Sequence, residues 1–425
     1  MNLTAEPARR FNRLTLGTAL LLLALVALFN LCVDPYQMYR LVLVDGLNRL
    51  KPQMGTHLRL AKAYILTEVR PEGIILGDSR TERALDPDHP GWNPGVQGHY
   101  NLALPGGSIY VMLRYFQHAH AVHPLKQVVI GLDLTNFGVP QPTEAEFSEA
   151  RLWVQPDGST PTDPVARWSQ TLQDQGAALL SLDSLTASVK TIALQHYPTS
   201  ATRQLNGLDP MSLGPAFVQR NGHRFYFRLN ASQYLGVWSR GFTIYDPTTH
   251  TSPSLEHFKA LVEFCRREGI DLKVYIHPVH ANLLEAFRVH GLWSDVEDWK
   301  RFVVQILAAD AQTHPAAQPF RLWDFSGYTS VTTEPVPAAG DTTTQMRWYW
   351  DSTHYKKALG DLILDRVFGY RDAQRPIPKD FGVLLTPQNL ETHLADIRQA
   401  QTRYQQTHPA EVQEVEAMDR AARRN

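Results

Sequence analysis

The longest apolar run in the chain lies near its N-terminus. Residues 14–33 are almost all apolar, with Asn30 as the main polar break. A helix needs about 20 apolar residues to cross a bilayer, so this run predicts a transmembrane helix. Three arginines precede it: Arg9, Arg10 and Arg13. By the positive-inside rule they place residues 1–13 in the cytoplasm and the rest of the chain outside.

A cleaved signal peptide is the alternative interpretation of this run. No small-x-small cleavage site follows it, and Phe29-Asn30-Leu31-Cys32 does not fit a lipidation site. These features favour an uncleaved signal anchor. No second run approaches this length, so we expect the remainder of the chain to be soluble.

Beyond the anchor, short apolar runs alternate with helical patterns. Four of these runs are rich in strand-forming residues: Gly73–Leu76, Gln127–Leu132, Asp271–Ile276 and Phe320–Phe325. Helical spacing of apolar residues is found between them, for example from Leu255 to Cys265. Continuous apolar strands that alternate with helices are typical of a parallel sheet covered on both faces. The sequence therefore predicts an α/β fold.

The same patterns divide the chain into segments. Residues 34–70 form a juxtamembrane segment, and residues 71–370 carry the α/β pattern. Polar and Pro-rich residues interrupt that pattern at about 139–251, which we interpret as an insertion or cap over the sheet. Residues 371–425 form a polar, helical tail whose narrow apolar stripe predicts docking on the body of the protein.

Composition excludes some classes of function. The chain of 425 residues has 41 Lys and Arg against 42 Asp and Glu, a net charge of −1, so bulk electrostatics do not favour a nucleic-acid partner. The two cysteines, Cys32 and Cys265, argue against a disulfide framework. A chain of this length buries a sizeable core without such cross-links.

Two fragments far apart in the chain carry the candidate chemistry. Ser79 follows the first apolar strand, within Gly77-Asp78-Ser79, and Asp351 lies three residues before His354. A serine nucleophile, an imidazole base and a carboxylate that orients the imidazole are the three groups used in nucleophilic acyl transfer. Strand ends in open α/β sheets are also the usual place for ligands. The alternative interpretation is that Asp78 and Ser79 only cap the turn that follows, and that Asp351 only caps a helix.

Other residues near these fragments have both a functional and a structural interpretation. Arg80 and Arg83 fit binding of an anionic saccharide or a pyrophosphate-linked acceptor, or else an ordinary salt bridge. Trp350 fits a wall of the substrate site, or else ordinary packing. His277 and His280 are too few to hold a metal, so neither a metal site nor a cofactor is predicted.

The two fragments resemble the SGNH (GDSL-type) hydrolase superfamily, over about Gly73 to Phe368. In that superfamily the first block carries the nucleophile in Gly-Asp-Ser, and the last block is Asp-x-x-His. The resemblance implies a flavodoxin-like three-layer α/β/α sandwich with a parallel sheet. Three further stretches are similar to membrane-anchored bacterial relatives of polysaccharide O-acetyltransferases and D-alanyl transfer proteins: Val33–Tyr36, Tyr100–Ser108 and Trp348–His354.

The resemblance also implies an oxyanion hole. The second block of the family contributes a glycine amide, and Gly106 or Gly107 is the counterpart here. The third block is usually Gly-x-Asn-Asp, whereas this chain has Gly131-Leu132-Asp133-Leu134-Thr135-Asn136, with the Asn displaced. Asn136 is therefore the candidate side-chain donor, beside the amide of Ser79.

The expected function is that of a membrane-anchored serine acyltransferase that O-acetylates an envelope or exported polysaccharide. By resemblance, the protein lies in the bacterial inner membrane with its catalytic domain in the periplasm, and it receives acyl groups from a multi-pass membrane acyltransferase. Two alternatives stay open. One is a carbohydrate esterase or lipase of the same fold, and the other is a non-catalytic polysaccharide-binding or assembly subunit.

Overall fold

A computed structural model of the chain describes residues 5–139, 146–155, 157–159, 163–197, 203–211, 214–246 and 248–424. These residues form an α/β protein with 14 α-helices and one six-stranded sheet. The contacts divide the chain into two compact units. One unit combines Met1–Glu68 with Ser148–Thr202, and the other combines Val69–Phe147 with Arg203–Asn425.

The strands are β1 (Gly73–Leu76), β2 (His99–Asn101), β3 (Gln127–Leu132), β4 (Asp271–Ile276), β5 (Arg321–Asp324) and β6 (Val383–Leu385). The helices are α1 (Ala5–Val33), α2 (Leu58–Val69), α3 (Ser79–Ala84), α4 (Ile109–Val122), α5 (Pro164–Leu180), α6 (Leu182–Ala193), α7 (Gly214–Asn221), α8 (His223–Trp238), α9 (Pro253–Arg267), α10 (Ala281–His290), α11 (Trp293–Thr313), α12 (Lys357–Phe368), α13 (Leu390–Thr407) and α14 (Pro409–Ala422). Short 3₁₀ helices cover Met54–His57, Leu134–Phe137 and Glu149–Arg151.

The first unit is built around α1. Residues Pro7–Val33 are long and apolar enough to cross a membrane, by length and composition. Asn30, the polar break in this helix, is buried because α5 and α6 pack against it. Its Nδ2 donates to the Leu179 carbonyl at 2.8 Å, and its Oδ1 accepts from Ser188 Oγ at 2.7 Å.

The second unit contains the sheet, in the order β2-β1-β3-β4-β5-β6. The first five strands are parallel, and β6 pairs with β5 in the antiparallel direction. Every residue of β1 and β3 is buried, which explains why both strands are apolar apart from Gln127 at the start of β3. The predicted α/β fold is confirmed with a mostly parallel sheet, and three of the four predicted strands have the predicted bounds while the fourth is slightly shorter. The three-residue strands β2 and β6 were not predicted.

The interrupted stretch at 139–251 is divided between the two units. Its part at 148–202 joins the N-terminal unit, where α5 and α6 pack on α1, while α7 and α8 belong to the unit with the sheet. This differs from a single insertion over the sheet. Residues 140–145, 156, 160–162, 198–202, 212–213 and 247 of this stretch lie outside the described residues.

The C-terminal tail docks as the apolar stripe predicts. Leu394 and Tyr404 of α13 are buried, and so is Val415 of α14. Helix α14 packs against α8 and α10. The tail is therefore part of the second unit.

Candidate active site

The turn between β1 and α3 exposes Ser79 at the carboxyl edge of the sheet. Gly77 has a φ of +153°, and a Cβ atom there would lie 2.1 Å from Thr81 Oγ1, so the turn requires glycine. Asp78 caps the helix, because its carboxylate accepts from the Arg80 N–H at 2.9 Å. The chain thus passes from a buried strand to a helix that begins with the serine.

The structure brings Ser79, His354 and Asp351 into one chain of hydrogen bonds. Ser79 Oγ lies 2.9 Å from His354 Nε2, and His354 Nδ1 lies 2.7 Å from Asp351 Oδ2. The second carboxylate oxygen of Asp351 accepts the N–H groups of Thr353 and His354, each at 2.8 Å. One carboxylate therefore holds both the imidazole and the turn that carries it. This network favours the tautomer with the proton on Nδ1, so that Nε2 accepts from the serine.

The pKa shifts suit the states that nucleophilic attack needs. Burial lowers the pKa of His354, and the nearby Asp351 only partly opposes it, so the pKa lies below its ordinary value. Burial raises the pKa of Asp351, but the charge of His354 and the hydrogen bonds from His354 and Thr353 outweigh burial and lower it. At neutral pH the imidazole is thus a free base and the carboxylate is ionised.

The side chain of Arg80 is buried and paired with two carboxylates, which differs from the predicted role in substrate binding. Its side chain is 2% exposed and forms close contacts with Asp78, the shortest at 2.6 Å, and with Asp133 Oδ2 at 2.7 Å. Asp78 and Asp133 follow β1 and β3, and both are buried at the sheet edge. A buried guanidinium between them neutralises two carboxylates that would otherwise be uncompensated.

A set of buried hydroxyl and imidazole groups lies beneath the turn. Thr81 Oγ1 is 3.0 Å from the Tyr275 hydroxyl, and His277 Nδ1 is 2.9 Å from the Tyr355 hydroxyl. Burial lowers the pKa of His277 to about 4, although Asp78 opposes the shift. Tyr355 directly follows His354, so these contacts also position the candidate base.

The two histidines after β4 have separate partners. His277 contacts Tyr355, while His280 Nε2 is 2.8 Å from the Glu334 carbonyl oxygen. Within the ranges the structure describes, no group of three or more His, Cys, Asp or Glu side chains is arranged to hold a metal ion. Both histidines contact the segment that carries Asp351 and His354. His277 contacts Tyr355, and the His280 N–H also donates to the Ser352 carbonyl at 3.0 Å.

Two of the predicted oxyanion donors are already committed to other acceptors. The Gly107 N–H donates to the Leu104 carbonyl at 2.8 Å. Asn136 Nδ2 donates to Asp78 Oδ2 and to the Gly107 carbonyl, each at 3.1 Å, which uses both amide hydrogens. Gly107 and Asn136 are therefore structural in this arrangement, contrary to the prediction.

Two predicted donors remain available. The N–H groups of Ser79 and Gly106 have no hydrogen-bond partner among the described residues. Ser79 is the first residue of α3, where backbone N–H groups have no partner within the helix. Gly106 is exposed and has a φ of +66°.

The structure gives Trp350 a packing environment. Lys356 Nζ lies over its ring, 4.2 Å from the ring centroid. The ring also packs against Gly214, where an added Cβ atom would lie 2.6 Å from Cζ3 of the tryptophan. Its backbone N–H donates to the His354 carbonyl at 2.8 Å. Trp350 thus supports the position of His354, and its role in substrate binding stays a prediction.

Helix α8 supplies site residues that sequence reasoning missed. Asn230 Oδ1 accepts from the hydroxyls of Ser352 and Thr353, each at 2.7 Å. Tyr234 lies near Arg80 and Thr353. Both residues fall in the stretch interpreted as an insertion, and no local motif marks them. They hold the loop between Asp351 and His354 against α8.

Arg83 is the cation that the site leaves available. It is half-buried, four residues after Ser79 on α3, and it has no ion pair among the described residues. Residues four apart share a helix face, so Arg83 lies on the side of α3 that carries Ser79. Its positive charge contributes to the lowered pKa of His354, which puts the guanidinium near the imidazole.

Comparison of the chain with models of known protein families finds no match, and neither does a search of curated proteins.

Proposed function

We propose that this protein is a membrane-anchored serine acyltransferase that O-acetylates an envelope or exported polysaccharide. The observation that carries the proposal is the hydrogen-bonded series Ser79, His354 and Asp351 at the carboxyl edge of the sheet. The nucleophile contacts the base, and the base contacts the carboxylate that orients it, which is the arrangement used in acyl transfer. Helix α1 supplies the anchor.

The first half of the reaction forms an acyl-serine. His354 Nε2 takes the proton of Ser79 Oγ while the oxygen attacks the carbonyl carbon of the acyl donor. The backbone N–H groups of Ser79 and Gly106 stabilise the negative oxygen of the tetrahedral intermediate. His354 then gives its proton to the leaving alcohol, and Asp351 stabilises the transient imidazolium.

The second half transfers the acyl group. A hydroxyl of the acceptor sugar loses its proton to His354 Nε2 and attacks the acyl-serine carbonyl. Collapse of the second tetrahedral intermediate forms the sugar ester, and the proton on His354 returns to Ser79 Oγ. Water in place of the sugar hydroxyl gives hydrolysis by the same steps, so a carbohydrate esterase is the second candidate.

The strand order supports a relationship to the SGNH superfamily. The parallel strands run β2-β1-β3-β4-β5, which is the order of flavodoxin-like sheets. In that fold helices cover both faces of the sheet, and we propose such a three-layer sandwich for the second unit. Ser79 follows β1, beside the β1/β3 position where flavodoxin-like folds bind ligands.

Membrane anchoring favours transfer over hydrolysis. The arginines before the apolar run of α1 favour a cytoplasmic N-terminus, which puts the serine on the periplasmic side of the bacterial inner membrane. An anchored enzyme is close to a multi-pass membrane protein that exports acyl groups and to a polysaccharide that is being secreted. We propose both as partners.

The proposal is tested with the full-length protein in detergent, an acetyl ester as donor and oligosaccharides as acceptors. Transfer predicts that acetylated oligosaccharide exceeds released acetate, and that Ser79→Ala abolishes both products. Acetate alone, dependent on Ser79, favours the esterase. Turnover that persists in Ser79→Ala contradicts the assignment of the nucleophile, and no turnover together with no labelling of Ser79 by a serine-directed phosphonate favours a non-catalytic binding or assembly subunit.

A further inference from the structure

The helices α5 and α6 expose an apolar surface beside the predicted anchor. On α5, Val165, Trp168 and Leu172 are 72%, 66% and 46% exposed. Their spacing of three and four residues puts them on one face of the helix. Leu180, at the end of α5, is also exposed. A tryptophan with two thirds of its surface in water is unfavourable unless a partner covers it.

Helix α6 extends this surface. Leu182 is 81% exposed, and Val189, two turns later, is 55% exposed. We call the six residues the hairpin surface: Val165, Trp168, Leu172, Leu180, Leu182 and Val189. The segment that follows α1 adds two further exposed apolar side chains, Leu41 and Val42.

The charged side chains of α5 do not contribute to the hairpin surface. Asp174 is buried and binds Arg151 Nε at 2.7 Å and the Tyr64 hydroxyl at 2.8 Å. Arg167 lies over the ring of Trp153, 4.7 Å from its centroid. The exposed face of α5 is therefore uncharged, as an apolar environment requires.

The hairpin surface belongs to helices that are fixed to the last turns of α1. Asn30, which bonds to Leu179 and Ser188, lies three residues before the end of α1 at Val33. At about 1.5 Å per residue, that contact is about 4.5 Å from the end of the helix. The Tyr36 hydroxyl, just after α1, donates to Asp183 at 2.6 Å. These contacts hold α5 and α6 at the level where a spanning α1 leaves the hydrocarbon.

We infer that the α5–α6 hairpin lies in the membrane interface, with the hairpin surface reaching the boundary between headgroups and acyl chains. The occupant is the lipid bilayer, because the surface lies on helices that pack against α1, whose own leucines are exposed over the predicted span. Trp168 fits this assignment, since tryptophan is enriched at membrane interfaces. The inference rests on the anchoring proposed above, and it adds a second attachment beside α1.

Spin labels on the full-length protein in phospholipid nanodiscs test this inference. Cys32 is exposed and Cys265 is buried, so Cys32→Ser provides the background. Labels are attached at Trp168→Cys and Leu172→Cys. Leu21→Cys in α1 is the control for hydrocarbon, and Glu263→Cys, an exposed position in α9, is the control for water. Collision with oxygen reports lipid, and collision with a water-soluble nickel complex reports solvent.

We expect both hairpin labels to lie at a membrane depth between those of the two control labels. Both should collide more with oxygen than with the nickel complex. Hairpin labels as exposed to water as the Glu263→Cys label overturn the inference. If the Leu21→Cys label lies in hydrocarbon in the same experiment, the proposed anchoring still stands. Water exposure at Leu21→Cys rejects anchoring and the inference together. Hairpin labels shielded from both reagents also overturn it, because they indicate a protein partner or a second copy.

A label-free measurement gives an independent answer. The chain has nine tryptophans, so the comparison is between the native protein and Trp168→Phe in nanodiscs with lipids brominated near the headgroup. The inference predicts that bromine quenches a smaller fraction of the fluorescence in Trp168→Phe. Equal quenched fractions in the two proteins contradict it.

Discussion

The hydroxyl oxygen of Ser79 lies 2.9 Å from Nε2 of His354, although 275 positions separate the two residues. The serine follows the strand β1 and the histidine lies in the loop before α12, at the carboxyl edge of one sheet. Asp351 Oδ2 then completes the series at 2.7 Å from the imidazole.

Replacement of Ser79 by alanine removes the proposed nucleophile. We expect turnover of an acetyl ester to fall by about 10⁴-fold or more, because the remaining site only binds and polarises the substrate. Thermal stability should stay near that of the native protein, since the hydroxyl is only partly buried. Initial rates and a melting curve measure the two effects.

The matched control is Ser326→Ala. Ser326 also lies beside a basic side chain, because Lys300 Nζ donates to its hydroxyl at 2.7 Å. This pair lies next to Asp324 in a buried cluster, so the variant should lose stability and retain turnover per folded molecule. Loss of turnover in folded Ser326→Ala, together with activity in Ser79→Ala, would show that Ser79 is not the nucleophile.

Asp351→Asn tests the orientation of the imidazole. The amide no longer stabilises the imidazolium and does not favour the proton on Nδ1, so we expect kcat to fall by about 10⁴-fold. The measurement is single-turnover acylation of Ser79 by an acetyl ester. Retention of more than about a tenth of the native rate contradicts the proposed role of the carboxylate.

Arg83→Gln should move the acid limb of the pH profile. The positive charge of Arg83 lowers the pKa of His354, so its removal raises that pKa. The reaction needs neutral His354, and the acid limb of kcat/KM therefore shifts to higher pH in the variant. The profile of native and variant protein with a neutral acetyl ester measures the shift. An unchanged limb, or a shift to lower pH, argues against the nearness of the two groups.

Arg80 is predicted to be a structural residue. Arg80→Met leaves the carboxylates of Asp78 and Asp133 buried without a counter-charge, which costs about 3–5 kcal/mol in the free energy of unfolding. Arg83→Gln on the same helix is the matched control, and we expect it to stay within about 0.5 kcal/mol of the native protein. Denaturant unfolding in detergent compares the two. Equal stability of both variants contradicts the buried ion cluster.

Gly77→Ala tests the turn that exposes the serine. The added methyl group meets Thr81, and φ is unfavourable for alanine, so we expect a loss of about 1–3 kcal/mol or more in the free energy of unfolding. Gly236→Ala in α8 is the control, because nothing lies within 4 Å of its Cβ position. That variant should be neutral or more stable by about 0.5–1 kcal/mol. Comparable losses in both variants argue against the strained turn.

The sheet was predictable because its central strands are buried on both faces. Burial of that kind selects apolar runs such as β1 and the residues of β3 after Gln127, and these runs are visible in the sequence. Strands β2 and β6 have three residues each, which is too short for a pattern, and their positions follow from pairing with their neighbours. Ser79, Asp351 and His354 were selected from the combination of Gly-Asp-Ser after a strand with Asp-x-x-His, and the structure brings the three side chains together.

The remainder of the site depends on contacts between distant segments. Arg80 looked available for substrate because nothing near it in the sequence indicates Asp133 as a partner. The position of Asn136 after β3 predicts an oxyanion donor, but its amide binds Asp78 and the Gly107 carbonyl. Asn230 supports the loop before His354 from a helix in the stretch interpreted as an insertion. Long-range hydrogen bonds of this kind leave no periodic signal along the chain.

The most direct test of the account is the identification of the acylated residue. The full-length protein is mixed with an acetyl ester, quenched in acid within the first turnover, digested and examined by peptide mass spectrometry. The account predicts one acetyl group on the peptide that contains Ser79, and none on that peptide in Ser79→Ala. An acetyl group on another residue during productive turnover, or turnover with Ser79 unmodified at every time, would contradict it.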